Sequence, residues 1–227
     1  MSTIPVRTNT MTWESWGKEH PTNFWVMTHQ AAQLVEAKQW QEARPLLQRL
    51  IELYPDFTGS ESAYRMLGAA HRALGETNEE RQVLTRFAER DDAATDAYLR
   101  LMELGAEVND WPAVLLNAQR FLAVNPLVPP PYRYLAQAGE ATGQPQPAIQ
   151  AYRALLLLDP PDPAEVNFRL ADALHHTGDP AARRYVLQAL EEAPRYREAL
   201  ALLLQINAES PQPSPGPAPS NPAALRP

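Results

Sequence analysis

Cysteine is absent from the 227 residues, which removes disulfides, thiolate metal ligands and thiol nucleophiles together. Basic residues are outnumbered: 20 Lys and Arg against 27 Asp and Glu leave a formal charge of −7. That is the wrong sign for a partner held through released phosphate counterions. No run approaches the roughly 18 apolar residues that a membrane span needs, and the polar stretch from Met1 to Thr12 has no apolar centre of the secretory kind. These absences point to a cytoplasmic protein with neither nucleic-acid nor membrane partners.

Catalytic signatures are missing too. There is no HExxH, no GxGxxG and no GxxxxGK(S/T). His20, His29 and His71 are scattered, and the consecutive His175 and His176 would point about 100° apart on a helix, unlike the i, i+4 pair that chelates one ion. No catalytic, cofactor-binding or metal-binding residue is nominated, and an enzyme is not expected.

What the chain holds in plenty is proline, 23 residues, beside a 44% hydrophobic content sufficient for a core. The body of the chain has helical periodicity, so these prolines are expected where helices start and stop. One pattern recurs. Gln30-Ala31, Leu67-Gly68, Leu101-Met102, Leu135-Ala136 and Leu170-Ala171 align at spacings of 37, 34, 34 and 35 residues. A second series follows in phase: Ala43, Leu47 and Pro55; Val114, Ala118 and Pro126; Ala148, Tyr152 and Pro160; Ala182, Val186 and Pro194. Between the two series stand Gly75, Gly143 and Gly178, with Asn109-Asp110 in the third unit, where a helix end calls for a left-handed residue.

A period near 34 with this spacing of small, large and proline residues resembles the tetratricopeptide repeat family. The resemblance implies an all-α fold, a right-handed α-solenoid of about five helix-turn-helix repeats with a C-terminal capping helix. The repeats are expected at residues 24–57, 61–94, 95–128, 129–162 and 164–194. Tyr132 to Pro160 carries the pattern best. Met102 replaces a small residue, Glu80 takes an alanine place, and Asp92 stands where proline is expected. Small residues let paired helices approach while large apolar ones fill the space between them.

Residues 1–23 read as an N-terminal extension, with Trp13 and Trp16 on one helical face as a candidate cap. Residues 195–207, rich in leucine, read as the capping helix that closes the last apolar face. From 208 to 227, prolines 211, 213, 215, 217 and 219 suit a disordered tail better than a core.

The resemblance also implies a concave groove lined by the first helix of each pair. Mapped onto this chain, the candidate peptide-groove residues are Trp25, Thr28, Arg65, Arg72, Leu99, Glu103, Arg133, Gln137, Phe168, Asp172 and His175. Chaperone-binding members grip a C-terminal carboxylate with Lys and Asn at positions that here carry Thr28 and Ala32, so that partner is not expected. Arg65, Arg72, Arg100 and Arg133 offer charge to an acidic peptide. Ion pairs within the face, through Glu103 and Glu140, are the alternative. The functional expectation is a non-catalytic protein-protein interaction scaffold with no cofactor, its partner a protein or peptide. Two alternatives stand beside it: an accessory repeat domain related to the C-terminal part of a larger bacterial, peptidase-like enzyme, and a self-assembling module. The chain is expected as a monomer or a weak homo-oligomer through the C-terminal cap.

Overall fold

Residues 12–209 are described by the computed structural model, and among them the chain forms twelve α-helices and no strand. In order they are α1 (Trp13–Glu19), α2 (Phe24–Glu36), α3 (Trp40–Leu53), α4 (Ala63–Leu74), α5 (Thr77–Ala88), α6 (Thr95–Glu107), α7 (Trp111–Val124), α8 (Pro129–Ala141), α9 (Pro145–Leu157), α10 (Pro163–His176), α11 (Ala182–Glu192) and α12 (Arg197–Glu209). The expected all-α architecture of helical repeats is what the chain adopts. Several of its prolines open helices: Pro112, Pro145 and Pro163 lie in first turns, where the missing amide has no intrahelical acceptor to lose. Pro45 breaks that rule, sitting inside α3. It deprives the carbonyl of Gln41 of a donor, and both residues are exposed, so water can take the bond.

Side-chain caps define several starts. Asn23, Ser62, Asp110 and Asp162 each accept a backbone N–H from the first turn of α2, α4, α7 and α10. The ends are set by left-handed residues. Gly75 and Gly143 adopt φ of 72° and 65°, and Asn109 adopts 59°, as the turn signals predict. Lys38 fills the same place in the first turn at φ 57° without any sequence signal for it.

The chain divides between Tyr134 and Leu135 into two compact units. In the first, α2 packs on α3, α4 on α5 and α6 on α7, and α3 and α5 also pack on the helix that follows each of them. Ala31, Ala43, Leu47, Tyr64, Phe87, Tyr98, Met102, Val114 and Ala118 are almost wholly buried between these helices. Successive pairs are latched by tyrosine hydroxyls. Tyr64 donates to the Pro55 carbonyl at 3.0 Å, Tyr98 to that of Ala88 at 3.3 Å and Tyr132 to that of Pro126 at 3.0 Å. Each ring fills the core while its hydroxyl satisfies a carbonyl left over by the preceding pair. Arg81 on α5 adds a further tie, donating to the Leu104 carbonyl of α6 at 3.0 Å.

Met102, large where a small residue is expected, is fully buried. Three residues later a Cβ on Gly105 would stand 2.8 Å from Val114 Cγ2, a close helix approach at the same repeat position as Gly139. At the N-terminus α1 lies against α2, with Gly17 buried beside Val26. Trp16 is half-buried and its ring centroid lies 5.0 Å from that of His20; the side chain of Trp13 lies outside the described residues.

In the second unit α10 packs on α9 and α11, and α12 packs on both α10 and α11. Ala171, Val186, Ala189, Ala199 and Leu202 form its buried centre, flanked by Phe168, Tyr185, Tyr196 and Ile206. Gly139 makes the tightest approach here, since a Cβ would meet the Ala148 amide nitrogen at 2.8 Å and the Gln144 carbonyl oxygen at 3.0 Å. Over the stretch read as a cap, residues 195–207, the chain forms the helix α12 from Arg197 to Glu209. The proline-rich tail expected from 208 falls, beyond Glu209, outside the described residues.

Candidate protein-interaction face

The first helices of the first unit, α2, α4 and α6, carry a line of charged and aromatic side chains whose positions are fixed by neighbours. Arg65 on α4 forms an ion pair with Asp96 on α6, and its guanidinium lies 4.9 Å above the Phe87 ring. Arg72, about two turns after Arg65 on α4, donates from Nε to Glu80 Oε1 at 2.7 Å. Arg100 on α6 reaches the same carboxylate from the next pair, with Nε 2.9 Å from Oε1 and Nη2 3.0 Å from Oε2. Its remaining Nη1 donates to Glu103 at 2.9 Å and lies 4.0 Å from Glu107.

Glu80 is the centre of this network and is only 1% exposed. It occupies the alanine position of the second helix, pointing between α4 and α6. Burial pushes its carboxyl pKa up, but the hydrogen bonds from Arg100 and Arg72 outweigh burial and hold it below its ordinary value. The same bonds raise Arg100. A second link joins the first two pairs: Glu76 contacts His71 Nδ1 at 2.6 Å and accepts from Arg44 at 3.0 Å. The His71 hydrogen bond is the main cause of a lowered Glu76 pKa.

The eleven groove candidates are therefore not equivalent. Trp25 is 58% exposed and stands edge-on to Phe24, which also meets Tyr54 and Phe57 edge-to-face at 5.0 and 4.6 Å. Thr28 is corrected to the core: it is 3% exposed and its hydroxyl has no hydrogen-bond partner. The reason is that residue 28 turns toward α3 and the Tyr64 end of α4, where Leu50, Ile51 and Phe57 also converge. Arg65, Arg72 and Glu103 are on the face but engaged as described, and Leu99 is half-buried. Arg133 is exposed and makes no ion pair among the described residues.

The remaining candidates belong to the second unit. Gln137 is exposed. Phe168 packs against Tyr196, ring centroids 4.9 Å apart, and His175 Nε2 lies 3.5 Å from Glu209. Both are thus occupied by the capping region. Asp172 lies 3.6 Å from His176. Beside them an open pocket of about 650 Å³ is lined by Asp162, Glu165, Arg195 and Tyr196. Its acids are already used: Asp162 caps α10, and Glu165 accepts from Arg169 and Tyr196. Tyr152 donates to Glu140 at 2.6 Å, and burial first, then that bond, raises the Tyr152 pKa. Among the described residues no cluster of three or more His, Asp or Glu is placed to hold a metal ion, and no helix is long and apolar enough to cross a membrane.

The unpaired Thr28 hydroxyl gives a direct check on its burial. A buried donor without an acceptor costs about 1 to 3 kcal/mol, and valine has nearly the same shape. Thr28→Val is expected to raise the unfolding free energy by about 1 kcal/mol, read from a denaturant midpoint with unchanged slope. A loss of stability would return Thr28 to a polar environment.

Residues 26–56 match the family model described as tetratricopeptide repeat. Among solved structures the chain is similar to YrrB, described as a TPR protein with an unusual peptide-binding site, at 14% identity and a TM-score of 0.59, covering 84% of this chain and 96% of that one. It is similar to MamA at 20% identity and a TM-score of 0.55, covering 75% and 96%. It is also similar to a chain in the structure of Naa15/Naa10 bound to HypK-THB, at 14% identity and a TM-score of 0.64, covering 86% of this chain and 30% of that one. Comparison with curated proteins by sequence finds no match. One helix pair thus matches the tetratricopeptide-repeat model, and the chain shares the helical-repeat fold of the tetratricopeptide-repeat protein YrrB.

Proposed function

We propose that the chain is a non-catalytic scaffold for protein-protein contact, and that a peptide segment lies across α2, α4 and α6 of the first unit. The observation that carries this reading is a face whose charged side chains are already held in place. Arg65 is fixed by Asp96 and Phe87, and Arg100 by Glu80 and Glu103. Ordering long side chains before binding removes an entropic cost that a ligand would otherwise meet. YrrB, described as having an unusual peptide-binding site, shares the fold; this supports the class of partner and transfers no residue.

The pairing also refines the chemistry of the partner. Three of the four arginines expected to meet an acidic peptide are already paired with Asp96 or Glu80. Among the described residues, what remains open is an aromatic surface at Trp25 and, on α8, the cation of Arg133, which makes no ion pair. A peptide with an apolar anchor for Trp25 and an acidic residue for Arg133 fits this pattern better than a strongly acidic one.

Selection of peptides from a displayed library on the immobilised full chain tests the reading. Selected peptides are expected to lose about tenfold or more in affinity against Trp25→Ala and against Arg133→Glu, a change of about 1.4 kcal/mol each, with helicity by circular dichroism unchanged. Equal binding to both variants and the parent would remove the first-helix face from the account.

A further inference from the structure

We infer that Phe57, in the connection between α3 and α4, is a built-in plug whose ring holds the place that an aromatic side chain of the bound peptide takes. This rests on the peptide-binding reading of the first unit and adds to it the kind of side chain received beside Trp25.

The connection that carries Phe57 is longer than its counterparts. Gly68, Met102 and Ala136 follow Pro55, Asp92 and Pro126 after 13, 10 and 10 residues, so three extra residues stand between Pro55 and Gly68. They lengthen the stretch that joins α3 to α4, from Tyr54 to Ser62. Its backbone is pinned on both sides of Phe57. The Phe57 amide donates to the Tyr54 carbonyl at 3.2 Å, the Ser62 hydroxyl donates to the Phe57 carbonyl at 3.1 Å, and the Tyr64 hydroxyl holds the Pro55 carbonyl. With the backbone held, the ring leaves its place by turning about its side-chain torsions while the loop stays where it is. Gly59 spares the ring a neighbour, since a Cβ there would stand 3.3 Å from Phe57 Cζ.

Phe57 closes a crevice lined also by Phe24, Thr28, Leu50, Ile51 and Tyr54, and too narrow to hold a water molecule. Thr28 is enclosed there with its hydroxyl lacking an acceptor, a cost that nothing in the free chain offsets. A backbone carbonyl that arrives with a peptide supplies the acceptor once the ring has turned out. The aromatic neighbours select the side chain that enters with it. Phe24 stands edge-to-face with Phe57 and with Trp25, at 4.6 and 5.1 Å, so a ring seated in place of Phe57 keeps the contact with Phe24 and lies one ring away from the exposed Trp25. The phenyl ring already seated is the measure of what fits. Because plug and peptide compete for one place, the apparent affinity is lowered by the fraction of molecules in which the plug is out.

The test uses the full chain and a peptide selected on it from the displayed library. With 4-fluorophenylalanine placed at position 57 alone, the fluorine resonance is expected to move when that peptide saturates the chain, and to stay at its free position when the aromatic residue of the peptide is replaced by alanine. Phe57→Ala is expected to bind the selected peptide about tenfold more tightly. Thr28→Val is expected to bind it about fivefold more weakly, although the folded chain gains stability. A fluorine resonance that does not move with the peptide bound overturns the plug, and so does an affinity unchanged in Thr28→Val. If the same peptide is released by Trp25→Ala, the peptide-binding reading stands while the plug falls; binding indifferent to Trp25→Ala overturns both.

Discussion

Replacing Glu80 with alanine is expected to lower the unfolding free energy by about 3 kcal/mol. Alanine is the residue that Ala43 and Ala148 provide at the same place in other pairs, and it fits the backbone there without strain. The loss is therefore one of charge pairing. Glu80 accepts three hydrogen bonds from Arg72 and Arg100, and it ties the second pair to the third. Arg72 is half-exposed and recovers water, whereas Arg100 is largely buried and keeps only its bonds to Glu103 and the more distant Glu107. Removing one member of a buried pair leaves the other uncompensated, while removing both is often nearly neutral. The double variant Glu80→Ala with Arg100→Leu is accordingly expected to regain at least half of the loss. A double variant no better than the single would make the network incidental to stability.

The same carboxylate predicts a pH dependence. Its folded pKa lies below the ordinary value of 4.5, so on acidification the unfolded chain takes up this proton first. The stabilisation from Glu80 is complete above that ordinary value and is lost as the pH falls through the depressed folded value. The stability gap between the parent and Glu80→Gln is expected to narrow over that acidic window and to stay constant above it.

Gly139→Ala is expected to cost about 2 kcal/mol even though alanine is the better helix former by about 1 kcal/mol. The added Cβ would stand 2.8 Å from the Ala148 nitrogen and 3.0 Å from the Gln144 oxygen. Both are backbone atoms of the turn into α9 and cannot step aside as a side chain can. Gly68→Ala is the control. There the nearest atom is the Leu84 Cδ2 methyl at 3.0 Å, the end of a flexible side chain, so propensity and crowding nearly cancel and stability is expected to stay within about 0.5 kcal/mol of the parent. Chemical denaturation of the two variants side by side checks the contrast; equal effects would mean that the helix approach is no tighter at 139 than at 68.

The repeat itself was plain in the sequence because helix pairing constrains local residue size. Alanine, glycine and leucine at fixed intervals mark where two helices touch, and the glycines at 75 and 143 mark left-handed turns that other residues enter at a cost. Lys38 escaped notice because it accepts that cost without advertising it. Met102 departs from the small-residue pattern yet is fully buried, since periodicity reports residue size and not how neighbours pack around it. Glu80 had the strongest hidden signal: a carboxylate in an alanine position, with arginines at 72 and 100 in the flanking first helices.

Site residues were less legible because exposure depends on the rotation of each helix about its axis. A small rotation of α2 separates Trp25, which is open, from Thr28, which is enclosed. Phe168 and His175 lie on α10 as expected, yet α12 and the loop before it engage both. Pairing of Arg65 with Asp96 joins residues 31 positions apart, nearly one repeat, so an ion pair between neighbouring pairs appears in the sequence only as two unrelated charges.

On the proposed reading, the first helices of the first unit receive the partner. Chemical-shift mapping of the isotopically labelled full chain with a selected peptide tests it most directly. Perturbed amides are expected to concentrate in α2, α4 and α6, around Trp25, Arg65 and Arg100. Perturbations confined to α3, α5 and α7, or to the second unit, would contradict it.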